Sequence, residues 1–153
     1  MTIPTPVITT EDLRLTLNGT TGSSTTEYVF WGQTISSGSV LAQINLANYY
    51  LYGVLGKTVM DSTDDITSYH IRTCELDYSC MRLLVLLSGD VITDGFSVTM
   101  GATLQQPLLL ATYRQLIADF KEAAQIHLRI LQPLAVTAES DVPTQRDTSP
   151  SYF

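Results

Sequence analysis

The chain has 153 residues, enough for one domain with a sizeable core. Hydrophobic residues make up 44% and charged residues 15%, an ordinary globular balance with a lightly charged surface. The formal net charge is -7 and the 8 Lys and Arg are scattered, which argues against binding a phosphate backbone through clustered basic residues.

Met1-Thr-Ile-Pro-Thr-Pro6 has neither the basic nor the apolar region of a secretory signal, so cytoplasmic synthesis is expected. The sequon Asn18-Gly19-Thr20 is then a chance match. Ile8 to Gly19 reads as a short first helix, with Thr9 and Asp12 spaced as a capping box and Asn18-Gly19 closing it. From Thr20 to Ser39 the composition turns to Thr, Ser and Gly, interrupted by Glu27-Tyr-Val-Phe-Trp31, where strand character is expected. A purely flexible linker would not carry Tyr28, Phe30 and Trp31. The cluster either packs back on the core or meets a neighbouring chain.

Val40 to Leu55 is a second helix. Leu41, Ile44, Ala47, Leu51 and Leu55 form one stripe, and Gly56 stands where a left-handed residue ends a helix. Asn45, Asn48, Tyr49 and Tyr52 make a second face, polar-aromatic and uncharged. Such a face suits contact with another subunit, and a Tyr-rich solvated face is the alternative.

Ser62-Thr-Asp-Asp65 opens a long third helix with acids where the helix dipole favours them. Leu76, Cys80, Leu83, Leu84 and Leu87 recur at helical spacing. Leu83 to Leu87 is apolar all round, which predicts a central helix enclosed by neighbours, ending at Gly89. Cys74 and Cys80 lie roughly 9 Å apart along its axis, too far for a disulfide, and are expected reduced and buried. Phe96, Val98 and Met100 alternate with Ser97 and Thr99 within Gly95 to Leu104, predicting one short strand or hairpin between the third and fourth helices. Pro107 suits the first turn of the last helix. Leu109, Tyr113, Leu116, Ile117, Phe120, Ala124, His127 and Leu131 trace its apolar face, and Pro133 stops it. Residues 133–153 then read as an extended tail whose obvious anchors are Arg146, Tyr152 and Phe153.

The expected fold is therefore mainly α: a four-helix bundle over residues 1–132, interrupted by the insertion 20–39, followed by the tail. Chemical motifs are absent. There is no Walker loop, Rossmann fingerprint, zinc ribbon, HExxH helix or GxSxG elbow. His70 and Cys74 are four apart on one helix, a spacing two metal ligands can share, but no third ligand stands nearby in sequence and a core-edge position explains both. His127 falls on the apolar stripe and reads as a core histidine. Helix capping and solvation account for Asp64, Asp65, Glu75 and Asp77. No catalytic residue, cofactor or metal is expected.

The order of elements has a counterpart. A capped helix beginning Ile8-Thr-Thr-Glu-Asp-Leu13 precedes a helix ending Asn48-Tyr-Tyr-Leu-Tyr-Gly-Val-Leu-Gly56. An acid-started helix with a Leu-rich end, the segment Gly95-Phe-Ser-Val-Thr-Met-Gly101 and a long amphipathic helix follow. Over residues 6–131 this resembles the head–tail connector (adaptor) proteins of tailed phages and tailed archaeal viruses. The resemblance implies a non-enzymatic subunit of a twelvefold ring beneath the portal, in the neck of the virion. Such a ring extends the DNA channel, lets DNA pass without specific binding, and docks the next neck or tail protein. No membrane is involved. The Thr/Ser-rich insertion 20–39 is longer than the resemblance would lead one to expect. Tyr28, Phe30, Trp31, Tyr49 and Tyr52 are the expected subunit interface, and Arg146, Tyr152 and Phe153 the expected portal contacts. Another helical oligomeric module, a different neck or tail-completion protein or a small regulator, is the alternative.

Overall fold

A computed structural model describes residues 4–93 and 102–140. It is mainly helical, with four helices and a small antiparallel sheet. The first helix, α1 (Thr10–Thr16), starts at the expected box: Asp12 N donates to Thr9 Oγ1 at 3.3 Å, and Thr9 N donates to Asp12 Oδ2 at 2.8 Å. Behind it Asn18, with φ 54, takes the left-handed turn.

The insertion forms the sheet. Strands β1 (Thr20–Thr21), β2 (Glu27–Phe30) and β3 (Gln33–Ser36) pair in that order, with Tyr28 opposite Ile35 and Phe30 opposite Gln33. Trp31 and Gly32 form the two-residue turn between β2 and β3, at φ 47 and 79, the double positive φ that matches strand twist. The alternation of β2 and β3 turns Tyr28, Phe30, Gln33 and Ile35 to one face, and Phe30 and Ile35 are buried against the helices.

The described strands thus lie between α1 and α2, not between the third and fourth helices. Of Gly95 to Leu104, residues 94–101 lie outside the described residues, and Ala102 already begins the last helix.

Helix α2 (Ser37–Met60) starts a turn earlier than expected because Ser36 caps it, its Oγ accepting from Ser39 N at 3.1 Å. Gly56 does break it, at φ 80 and ψ 166, and one further turn follows to Met60. Tyr52 Oη donates to Asp61 Oδ1 at 2.7 Å and Lys57 pairs with Asp61, so the kink is tied across.

Helix α3 (Asp65–Thr93) runs antiparallel to both α2 and α4 (Ala102–Ser140) and sits between them. It is the central helix, as expected, but two details differ. It continues past Gly89, and its enclosed part is one to two turns earlier than the leucine run. Cys74, Glu75, Asp77, Tyr78, Ser79 and Cys80 are buried, whereas Val85 is 53% exposed. The reason is that α2 and α4 sandwich the middle of α3, leaving one side of its leucine-rich end open. Helix α4 likewise runs through Pro133. That proline cannot donate to the carbonyl four residues back, yet Leu128, Leu131 and Ala135 still pack on the core and hold the helix on either side of it. The tail boundary expected at residue 133 is therefore moved, since 133–140 belong to α4.

Two core clusters result. One joins α1, the β2–β3 hairpin, the start of α2, the end of α3 and the first half of α4 around Phe30, Ile44, Leu83, Leu84, Leu87 and Tyr113. The other joins α2, α3 and α4 around Leu51, Leu55, Ile71, Cys74, Ala124 and Leu131.

Candidate interaction surfaces

The outer face of α2 is the most unusual surface. Between Glu27 and Lys57 the sequence holds no Asp, Glu, Lys, Arg or His. With Val40, Ile44, Ala47, Leu51 and Leu55 turned inward, helical geometry sends Ala42, Leu46, Tyr49 and Gly53 to the opposite side, and all four are exposed. Leu46 is 43% and Tyr49 44% exposed, and Leu41, Tyr50 and Val54 flank them. Solvent-facing helix surfaces are ordinarily charged. This one has only apolar and neutral polar groups.

A second apolar surface lies on the carboxyl half of α4, where Ile126, Ile130 and Leu134 recur at helical spacing and are exposed. At that end of the bundle, the first turns of α3 add Ile66, 70% exposed, and Tyr69.

The expected interface residues separate in the structure. Tyr49 is on the outer face of α2. Trp31, 40% exposed, projects from the hairpin turn and meets Tyr113 edge-on, with ring centroids 5.3 Å apart. Tyr28 is half-buried, its hydroxyl hydrogen-bonded to Thr10 Oγ1 at 3.0 Å. Tyr52 is half-buried and held by Asp61. Phe30 is a correction: its ring is enclosed by its own chain and offers no surface to a neighbour. Packing back on the core, one of the two readings of this aromatic cluster, therefore holds for Phe30 and Tyr28. The expected portal contacts Arg146, Tyr152 and Phe153 lie outside the described residues.

Three polar constellations were not legible in sequence, because each joins residues far apart in the chain. Glu75 is fully buried in mid-α3. Its Oε2 accepts from the backbone N–H of Val7 at 2.8 Å and Ile8 at 3.1 Å, and its Oε1 from Asn48 Nδ2 at 2.6 Å. Burial pushes its carboxyl pKa up against those three hydrogen bonds. Gln33 bridges the hairpin to two helices: its Nε2 donates to Leu87 O at 3.2 Å, and Tyr113 Oη donates to its Oε1. The only 2 histidines of the chain, His70 on α3 and His127 on α4, meet with their Nδ1 atoms 2.9 Å apart.

Neither cysteine is suited to act as a nucleophile. Burial raises the Cys74 thiol to about 12 and the Cys80 thiol further, far above the range of reactive thiolates. Among the described residues no group of three or more His, Cys, Asp or Glu is arranged to hold a metal ion, and no helix is long and apolar enough to cross a membrane. No protein-family model, curated protein or solved structure matches the chain.

Proposed function

We propose that this chain is a structural subunit of a homo-oligomeric ring, and specifically of a head–tail connector in the neck of a tailed virus. The observation that carries the oligomeric part is the charge-free outer face of α2. Exposed Leu46 and Tyr49 give apolar area that a free helix surface would not need, and aromatic residues depleted of charge are typical of interface centres. A closed ring needs two different complementary patches on each subunit. The apolar surface on the carboxyl half of α4 provides a second one. The connector part rests on the resemblance in element order across residues 6–131. In that role the ring, twelvefold, sits under the portal and extends the DNA channel. It docks the next neck or tail protein and performs no catalysis. The protein is made in the host cytoplasm and resides in the virion.

Sedimentation velocity and electron microscopy of the full chain, alone and co-expressed with its portal, test the reading. A ring is expected, and Leu46→Glu or Tyr49→Glu should reduce it to folded monomers. A stable dimer that never closes into a ring would favour the small-regulator alternative. A monomer indifferent to both substitutions removes the interface.

A further inference from the structure

Both histidines of the chain, separated by 57 positions, are brought ring to ring across the α3–α4 contact. Their centroids are 5.1 Å apart, the planes are tilted by 45°, and Tyr69 stands edge-on to each ring. Both side chains are half-buried, so solvent reaches the pair. We propose that His70 and His127 form a two-imidazole chelate, through Nδ1 of each ring, for a divalent transition-metal ion of the copper–nickel–zinc class.

The geometry argues for the site. Imidazole nitrogens bind such ions at about 2.0–2.1 Å, and two ligands in cis positions of a square-planar or octahedral ion then stand about 2.9 Å apart. The Nδ1···Nδ1 separation is 2.9 Å. Among these ions the general affinity order favours Cu²⁺ over both Ni²⁺ and Zn²⁺. In the metal-free protein one Nδ1 donates its proton to the other. Metal binding moves that proton to Nε2 of the same ring, and each ring turns by about 45° so that both lone pairs converge on the ion. The backbone of two packed helices fixes the pair, so little order is lost on binding. The other coordination positions go to water, because no third His, Cys, Asp or Glu joins the cluster among the described residues.

The test uses the untagged full chain titrated with CuCl₂ against glycine as a competing chelator, followed by electron paramagnetic resonance. One Cu²⁺ per chain with two equatorial imidazole nitrogens is expected. His70→Ala and His127→Ala should each weaken binding at least tenfold and leave one nitrogen or none. Melting of the metal-free variants reports whether they fold. If they do not, the wild-type spectrum still decides, since a signal with one nitrogen or only oxygen ligands overturns the chelate. Binding that survives both substitutions, or no binding under competition, also overturns it. A parallel ZnCl₂ titration should give weaker binding at the same residues.

Discussion

At the scale of single residues, Glu75 is the side chain whose surroundings are most exacting. Its carboxylate ties the segment before α1 to the middle of the bundle through the N–H groups of Val7 and Ile8. Asn48 donates to the other oxygen, and Asn48 Oδ1 is left buried without a partner. Glutamine at position 75 can keep one oxygen for the two backbone donors. Its amide can then donate to Asn48 Oδ1 once the Asn48 side chain turns over, which replaces the buried carboxyl and satisfies that acceptor, while Asn48 Nδ2 gives up its own partner. Glu75→Gln should therefore unfold in urea near the wild-type midpoint at pH 7, because one unpartnered atom of Asn48 is exchanged for another. Glu75→Ala should lose about 2–4 kcal/mol, since it opens a cavity and strands the two N–H donors. Equal damage from both variants would mean that the charge itself is needed. Asp77, also buried, behaves differently because burial alone pushes its pKa up to about 6. A carboxyl whose folded pKa lies above its unfolded value of roughly 4 favours the fold when protonated. Its contribution is full below about pH 4 and is lost as pH rises through about 6. The stability difference between Asp77→Asn and wild type should accordingly grow in the variant's favour from pH 4 to pH 7, by about 2 kcal/mol, measured by urea unfolding across that range. A pH-independent difference would show that Asp77 is solvated.

At the scale of elements, Gly56 and Gln33 decide how α2 ends and how the sheet docks. Gly56 lies at φ 80 and ψ 166, a region nearly closed to residues with a Cβ, and no atom stands within 4 Å of where that Cβ would be. The whole cost of Gly56→Ala is thus backbone strain, about 1–3 kcal/mol, and calorimetry should record it as a lower melting temperature. Gln33→Ala should cost about 1–3 kcal/mol, because Leu87 O and the buried Tyr113 hydroxyl both lose their partner. Gln33→Glu should be intermediate, keeping the acceptor for Tyr113 and losing the donor to Leu87. The capping box at Thr9 and Asp12, the break at Gly56 and the apolar stripe of α4 were legible in sequence because each is set by contacts within four residues. The Trp31-Gly32 turn was not, since a tryptophan at positive φ has no local preference for that shape and rests on Tyr113, far along the chain. Pro133 misled for the same reason: local chemistry says stop, while packing of Leu131 and Ala135 continues the helix. Of the surfaces, the uncharged face of α2 could be read from its residues. The burial of Phe30 and the meeting of His70 with His127 depend on how the hairpin and α4 fold back, which spacing alone does not encode.

At the scale of the whole molecule, charge and core distribution separate what folds from what docks. The net charge of -7, with 8 basic residues and no cluster of them, leaves little to neutralise phosphates and release counterions. Titration with a labelled duplex at about 0.15 M salt should show no sub-micromolar binding, which is also what the proposed channel role would require. Among the described residues, the two core clusters run from Ile8 to Ala135. Residues 141–153, with few apolar side chains, bring little to offset the roughly 1–2 kcal/mol per residue lost on ordering a backbone, unless they meet a partner. Arg146, Tyr152 and Phe153 are the groups suited to do so: two aromatic rings that can be buried and one guanidinium that can pair with a carboxylate. A chain truncated after Ser140 should keep the helical circular dichroism and melt within about 2 °C of the full chain, because it retains both described core clusters whole. In the proposed role it should also fail to attach to portal-bearing heads, and Tyr152→Ala with Phe153→Ala should reproduce most of that loss. Normal attachment of the truncated chain would move the portal contact onto the bundle itself. Unfolding would instead make these residues part of the fold.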